Sequence, residues 1–366
     1  MVNVEPISFA RGVPAPECLP VEELADCASS VLARDGETVL NYGAAGGYVP
    51  LREWIGERHA VEPSRVVLTN GSLEGFLFLA QLLVPQGRVL VEAPTYDRPL
   101  KILRSLGAEI VALPQDAEGL DLDALEDALQ AGPAPSFLYA IPTFQNPSGR
   151  TLSRARRDRL ASLVRERDLL LFEDDPYGLV RFEGEVQPTV FELTGGEGVV
   201  YGSSFSKTIA PGVRVGYLIL PSDLAADLEA SAAAAYITPA LLGQATVYEF
   251  LRRGNLEPNL ERVRALLRAR RDAMVDALER HLPEAVWSRP EGGYFVWLEL
   301  PEELATAELA PEGVTFVPGT DFFAGPGGES AIRLAFSFAS PAEIGEGVRR
   351  LASAVRAGLL VGGAAN

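Results

Sequence analysis

From Arg65 to Glu173 the chain alternates strand-length apolar runs with helix-length amphipathic ones, a rhythm that few folds accommodate. The runs Val66 to Thr69, Val89 to Glu92, Glu109 to Leu113, Phe137 to Ile141 and Leu169 to Glu173 are too continuously apolar to leave one face in water. Between them, Ser72 to Val84, Arg98 to Leu106, Asp121 to Gln130 and Ser153 to Arg167 carry helical spacing. Strands buried on both faces and joined by helices read as a mostly parallel sheet, sandwiched by helices. Val199 to Leu218 adds a strand, a loop and a strand, which brings the expected sheet to seven strands.

Beyond Tyr217 the rhythm changes. Helices are predicted over Leu224 to Tyr236, Leu241 to Arg253 and Glu257 to about His281. Strands Gly293 to Leu298, Val314 to Val317 and Ala331 to Ser337 then precede a helix over Pro341 to Val355. The reading is an α/β chain with a large domain over residues 41–257 and a smaller α+β domain. Residues 1–40 with 258–366 would form that smaller domain and an N-terminal arm, and the tail VGGAAN is expected to fray.

Open sheets of this kind bind ligands at the carboxyl ends of their strands. There the chain places Gly71-Ser72, Pro94-Thr95-Tyr96, Asn146-Pro147, Asp174 to Tyr177 and Lys207. The lysine stands out because Lys101 and Lys207 are the only two among 32 Lys and Arg residues. Arginine fills the generic cationic positions, so a lysine flanked by serines suits a task arginine cannot do, losing its proton to form a Schiff base. The bland alternative is a lysine that solvates a turn. Ser204, Ser206 and Arg214 beside it would suit a phosphate, and the pair of features points to pyridoxal phosphate.

A net charge of −18 disfavours nucleic acid and anionic membranes as partners. No apolar run reaches the roughly 18 residues of a membrane span, and the N-terminus lacks a basic-then-apolar signal. Two cysteines, Cys18 and Cys27, read as reduced thiols of a cytoplasmic protein. With only His59 and His281, histidine triads and metal sites are not expected.

The ordered set EAPTY, IPTFQNPSGRTLS, FEDDPYG, SFSKTIAPGVRVGY, RPEGGYFVW, FVPGTDFF and IRLAFSFAS resembles the fold-type I pyridoxal phosphate aminotransferases. The likeness runs from Ile7 to Leu351 and is nearest the 2-aminoadipate and kynurenine aminotransferase subgroup. It implies that Lys207 holds the cofactor and moves the substrate Cα proton, and that Asp174 pairs with the pyridine nitrogen. Tyr177 and Asn146 would bond the ring hydroxyl, with a cis bond before Pro147, and Tyr96 would stack on the ring. Gly71, Ser72 and Leu73 would meet the phosphate with Ser204, Ser206 and Arg214, while Tyr42 reaches in from the partner of a homodimer. Arg333 would grip the substrate α-carboxylate, with Arg11 and Gly12 beside the substrate.

Some positions depart from the family pattern. Leu73-Glu74 stands where relatives often carry two glutamines, so a polar side chain near the phosphate is lost. Arg11 replaces a small residue and becomes the leading specificity candidate, suited to a donor with a second carboxylate. The stretch Glu302 to Gly313 is short for the family, and the helix that often precedes the Ile-Ser-Phe motif is missing. The expected activity is amino-group transfer between an L-amino acid and a 2-oxo acid, 2-oxoglutarate being the natural acceptor. A lyase, racemase, decarboxylase or oxidase on the same fold, or a non-catalytic ligand-sensing domain, are the competing readings.

Overall fold

Eight strands form the main sheet, in the spatial order Val66–Thr69, Gly216–Ile219, Val199–Ser204, Leu171–Asp174, Phe137–Ala140, Val89–Ala93, Ile110–Asp116 and Gly119–Leu120. They are seen in a computed structural model of the chain, which describes residues 5–301 and 304–362. From Val199–Ser204 across to Ile110–Asp116 all neighbours run parallel. Gly216–Ile219 is antiparallel to both of its neighbours. The expected sheet is therefore present with one addition. Gly119–Leu120 folds back on Ile110–Asp116 as a two-residue edge, too short to announce itself by periodicity.

The two faces of the sheet alternate residue by residue, as a pleated strand requires. Val67, Val91, Tyr139, Phe172, Val200 and Leu218 meet Phe76 and Leu79 of the helix Ser72–Leu83. Leu68, Leu90, Leu138, Leu171 and Ile219 belong to the opposite layer, with Leu160 and Val164 of the helix Arg154–Glu166. Burial on both sides explains the continuous apolar runs. It also leaves the strand ends as the place where polar groups can meet a ligand.

A second sheet is antiparallel, in the order Val286–Trp287, Phe295–Glu299, Ala331–Ala335 and Val317–Pro318. The single strand expected over Val314 to Val317 is split. Val314–Thr315 pairs in parallel with Ile7–Ser8, and the chain then crosses at Phe316 into the four-stranded sheet. The segment after Ser8 is thereby carried over the carboxyl ends of the main sheet. Ala335 N donates to Phe9 O and Ser337 Oγ to Val13 O, which pins it there.

Helix ends differ from expectation where propensity alone was the guide. Val21–Val39 runs past Arg34 across a kink at Asp35, whose φ is −124°. The last helix continues to Gly362, beyond the expected Val355, and the remaining tail residues 363–366 lie outside the described residues. Within the shortened stretch, residues 302 and 303 also lie outside them, and Thr306–Glu308 forms one 3-10 turn. Cys18 and Cys27 are buried free thiols. The Asn146-Pro147 bond is cis as expected, and so is Ala93-Pro94, which was not anticipated.

Candidate active site

A cleft of about 400 Å³ opens at the carboxyl ends of the main strands, roofed by the segment Ala10, Gly12 and Val13. Gly71, Ser72, Leu73, Tyr96, Asn146, Asp174, Tyr177, Ser204, Ser206, Lys207, Arg214, Arg333 and Gly12 all line it. Arg11 and Tyr42 do not.

Asp174 ends the strand Leu171–Asp174 with its side chain buried in the sheet. Its Oδ2 accepts a 2.7 Å hydrogen bond from Tyr139 Oη, whereas Oδ1 is buried without a partner. Burial, with the neighbouring Asp175 charge, lifts this carboxyl to about 7 against the pull of the Tyr139 hydroxyl. A buried carboxylate with one orphaned oxygen is costly unless something cationic or N–H-bearing meets it. A protonated pyridine nitrogen is such a group. Asp175 points elsewhere, and both of its oxygens are engaged: it accepts from Tyr201 Oη and from Gly178 N.

An anion cradle lies at one end of the cleft. The helix Ser72–Leu83 starts after Gly71 with no side chain capping it, which leaves main-chain donors and the helix dipole directed at the cleft. Gly71 has φ 105°, and a Cβ there would lie 2.4 Å from Arg214 Nη2. A Cβ on Gly216 would lie 2.2 Å from Ser72 N, so both positions need glycine for the chains to pass. Arg214 sits in the left-handed region at φ 52°, with Nη2 donating to Asn70 O at 2.7 Å. Ser204 Oγ donates to Ser206 Oγ at 2.8 Å, and both hydroxyls line the same end. These residues fit a phosphate. Glu74 is turned away from it, its carboxylate accepting from Asn70 N at 2.7 Å, so the departure at this position adds no charge to the cradle floor.

Lys207 follows the strand Val199–Ser204, and its Nζ donates to Gly12 O at 2.8 Å. The same ammonium lies 5.2 Å from the Tyr294 ring centre and 5.9 Å from that of Tyr177. Burial, then the charges of Arg333 and Arg214, lower this amine from the ordinary 10.5 to about 8. A lysine that is substantially neutral near pH 8 can act as nucleophile and as base.

Arg333 lies on the central strand of the second sheet and reaches across to the first. Nη1 donates to Asn146 Oδ1 and Nη2 to Ala10 O, both at 2.9 Å, while Nε is buried without a partner. Its guanidinium is stacked between Phe295 and Phe322, at 4.3 and 4.9 Å from their centres. Burial lowers its proton affinity. No carboxylate pairs with it among the described residues. An anionic substrate group would complete it.

Arg11 is exposed, although the residues on either side of it line the cleft. Tyr42 is 74% exposed on the loop after the helix Val21–Val39. Sequence reading also passed over several residues that shape the site. Tyr139 looks like core in the run FLYA, and only its neighbour in space, Asp174, reveals a polar task. Glu92 and Gln145 form a buried pair: Glu92 accepts from Ile141 N at 2.9 Å and from Gln145 Nε2 at 3.3 Å, just before the cis bond at Asn146. A glutamate ending an apolar strand, in EAPTY, was the available signal.

Fold and cleft together define an α/β enzyme whose ligand site gathers a lysine of lowered proton affinity, an anion cradle and a half-satisfied carboxylate. Comparison with known proteins gives this class its family. Residues 6–351 match the family model "Aminotransferase class I and II", and the chain belongs to that family. It is similar to the 2-aminoadipate transaminase of Thermus thermophilus, 42% identical over 364 residues, covering 97% of this chain and 91% of the relative. Aromatic-amino-acid aminotransferase 1 of Thermococcus litoralis is 35% identical, with 96% and 88% covered. Among solved structures, the alpha-aminoadipate aminotransferase of Thermus thermophilus, complexed with N-(5'-phosphopyridoxyl)-L-leucine, superposes with a TM-score of 0.93 at 39% identity, covering 97% of this chain and 93% of that one.

Proposed function

We propose that this aminotransferase uses pyridoxal phosphate to move an amino group from an L-amino acid to a 2-oxo acid, with 2-oxoglutarate as acceptor. The observation that carries the reading is the orphaned Oδ1 of Asp174, buried in the cleft that also holds the depressed amine of Lys207. The cofactor supplies an electron sink for the carbanion left when a proton departs from the substrate Cα. The protein's own groups then divide the work. Asp174 Oδ1 would meet the ring nitrogen, and Ser72, Ser204, Ser206 and Arg214 would hold the phosphate with the main chain at Gly71 and Leu73. Tyr96 would pack on the ring, and Tyr177 and Asn146 would bond its hydroxyl. Arg333 would orient the amino acid by its α-carboxylate, and Lys207 Nζ would take the Cα proton and give it back on the far side of the amino nitrogen.

Donor choice is assigned to the roof. The relatives' names, 2-aminoadipate and aromatic amino acid, bracket donors with long acidic or flat side chains. Arg11, between two residues that line the cleft, favours a donor with a second carboxylate. The assembly is a homodimer in the cytoplasm, with Tyr42 entering the partner's phosphate cradle. Exposed Leu40 (71%), Tyr42 and Ile237 (59%) support such an interface, and no helix of the described residues is long and apolar enough to cross a membrane.

Product stoichiometry tests the reaction. Incubated with pyridoxal phosphate, an amino-acid donor and 2-oxoglutarate, the protein forms glutamate and the donor's 2-oxo acid in equal amounts. Ammonia or carbon dioxide without glutamate would assign it to lyase or decarboxylase chemistry instead. Mixing Lys207→Ala with Tyr42→Ala subunits tests the shared site: hybrid dimers regain one intact site, about a quarter of wild-type activity in a random mixture.

A further inference from the structure

Behind Asp174 stands a residue whose position the reaction has not yet used. Tyr139 lies on the strand Phe137–Ala140, in register with Phe172 of the neighbouring strand. Asp174 is two residues beyond Phe172 on the same face, so the far end of the tyrosine ring reaches diagonally to the carboxylate. Tyr139 is completely buried, with its ring centre 5.1 Å from that of Phe76 and 5.7 Å from that of Phe172. The ring has little room to swing, and its hydroxyl donates to Asp174 Oδ2 at 2.7 Å. It is the sole donor to the Asp174 carboxylate among the described residues.

We infer that Tyr139 is a positioning residue that keeps Asp174 ionised and turned with Oδ1 toward the ring nitrogen of the cofactor. This rests on the pyridoxal phosphate reading above. A hydroxyl that donates to one carboxylate oxygen stabilises the anion, and it leaves the other, unpartnered oxygen as the one free to accept from a ligand. The other ionisable groups around Asp174 cannot substitute. Asp175 and Glu92 are carboxyls engaged with Tyr201, Gly178, Ile141 and Gln145, and their charges only make Asp174 harder to ionise. Tyr96 and Tyr177 face the same carboxylate, but both phenols are pushed upward by burial and neither bonds to it. Without the Tyr139 hydroxyl, the proton shared between ring nitrogen and carboxylate moves toward Asp174, and the ring loses positive charge.

The consequence can be read in the visible absorption of the holoenzyme. A less positive ring holds the proton on its linkage to Lys207 more tightly, so the pH midpoint of the visible band rises. For Tyr139→Phe we expect a rise of about one pH unit, with kcat down about tenfold and the donor KM within about twofold. In an Asp174→Asn background the same substitution should move the midpoint no further, because the effect passes through Asp174. Phe172→Leu keeps the hydroxyl but loosens the ring, and should shift the midpoint in the same direction by less. It decides the matter if Tyr139→Phe does not fold. An unchanged midpoint in the folded variants, with activity falling only in step with thermal stability, would make Tyr139 a packing residue and overturn the inference. If wild-type protein forms no visible band with pyridoxal phosphate, the cofactor reading fails; a band whose midpoint ignores Tyr139 sinks only this inference.

Discussion

The floor and the roof of the cleft are built on different terms. The floor comes from the carboxyl ends of neighbouring strands of one rigid sheet: Asp174, Asn146, Lys207 and the turn at Gly71 are set by buried register and by main chain that only glycine permits. The roof comes from the Ala10 to Val13 segment and the second sheet: the sheet's inner strands share the apolar core of the floor, while the segment hangs from long-range hydrogen bonds such as Arg333 to Ala10 O and Lys207 to Gly12 O. A floor of this kind fixes what chemistry is possible. A segment of this kind can change its substrate without disturbing the chemistry, because its side chains can vary while the main-chain carbonyls that tie it down stay the same.

Substitutions across the two regions should therefore separate into losses of kcat below and changes of KM or selectivity above. Lys207→Ala is expected to have the largest effect, abolishing the covalent visible band and cutting turnover on the order of 10³-fold or more. Asp174→Asn should keep the cofactor phosphate in place yet lower kcat on the order of 10²-fold, since an amide can no longer hold the ring nitrogen's charge. If its kcat stays within a few-fold of wild type, the floor is not electrostatic and the comparison breaks.

For the roof, Arg333→Lys replaces a stacked two-pronged group by a point charge, and kcat/KM should drop about 10- to 100-fold through KM. An equal loss in kcat alone would move Arg333 into the floor. The lysine amine also carries a pH signature. Because burial and two arginines lower it to about 8, its neutral, reactive form falls away below that pH. Capture of pyridoxal phosphate by apoenzyme should quicken about tenfold per unit as pH rises toward 8, then level. A plateau reached only near the ordinary lysine range would contradict the assigned burial. Arg11→Gly is expected to be the mildest, shifting the ratio of kcat/KM between acidic and neutral donors by about tenfold with the cofactor band untouched. An unchanged ratio would clear Arg11 of any part in selectivity.

The same contrast explains what was legible in the sequence. Floor residues announce themselves because each sits where an apolar strand stops: Asp174 after Leu171 and Phe172, Lys207 after a buried six-residue strand. That pattern places a carboxylate and a lysine at the active edge, whereas the choice of Asp174 over Asp175 comes with the family resemblance. Arg333 was legible for the opposite reason, a charge stranded inside the apolar strand Ala331–Ala335. What could not be read depends on contacts distant in the chain. Tyr139 and Asp174 are 35 residues apart, and Arg333 meets Asn146 across 187. The crossing at Phe316 that lets Ile7–Ser8 pair with Val314–Thr315 leaves no periodic trace in so short a stretch. The exposure of Arg11 likewise depends on how the roof is hung from the second sheet, not on its neighbours in sequence.

The most direct test is the visible spectrum of the purified protein carrying pyridoxal phosphate, followed through one complete cycle. Adding a competent amino-acid donor should bleach the band, and adding 2-oxoglutarate after removal of the donor should restore it. A band that forms but never returns with any 2-oxo acid would contradict amino-group transfer.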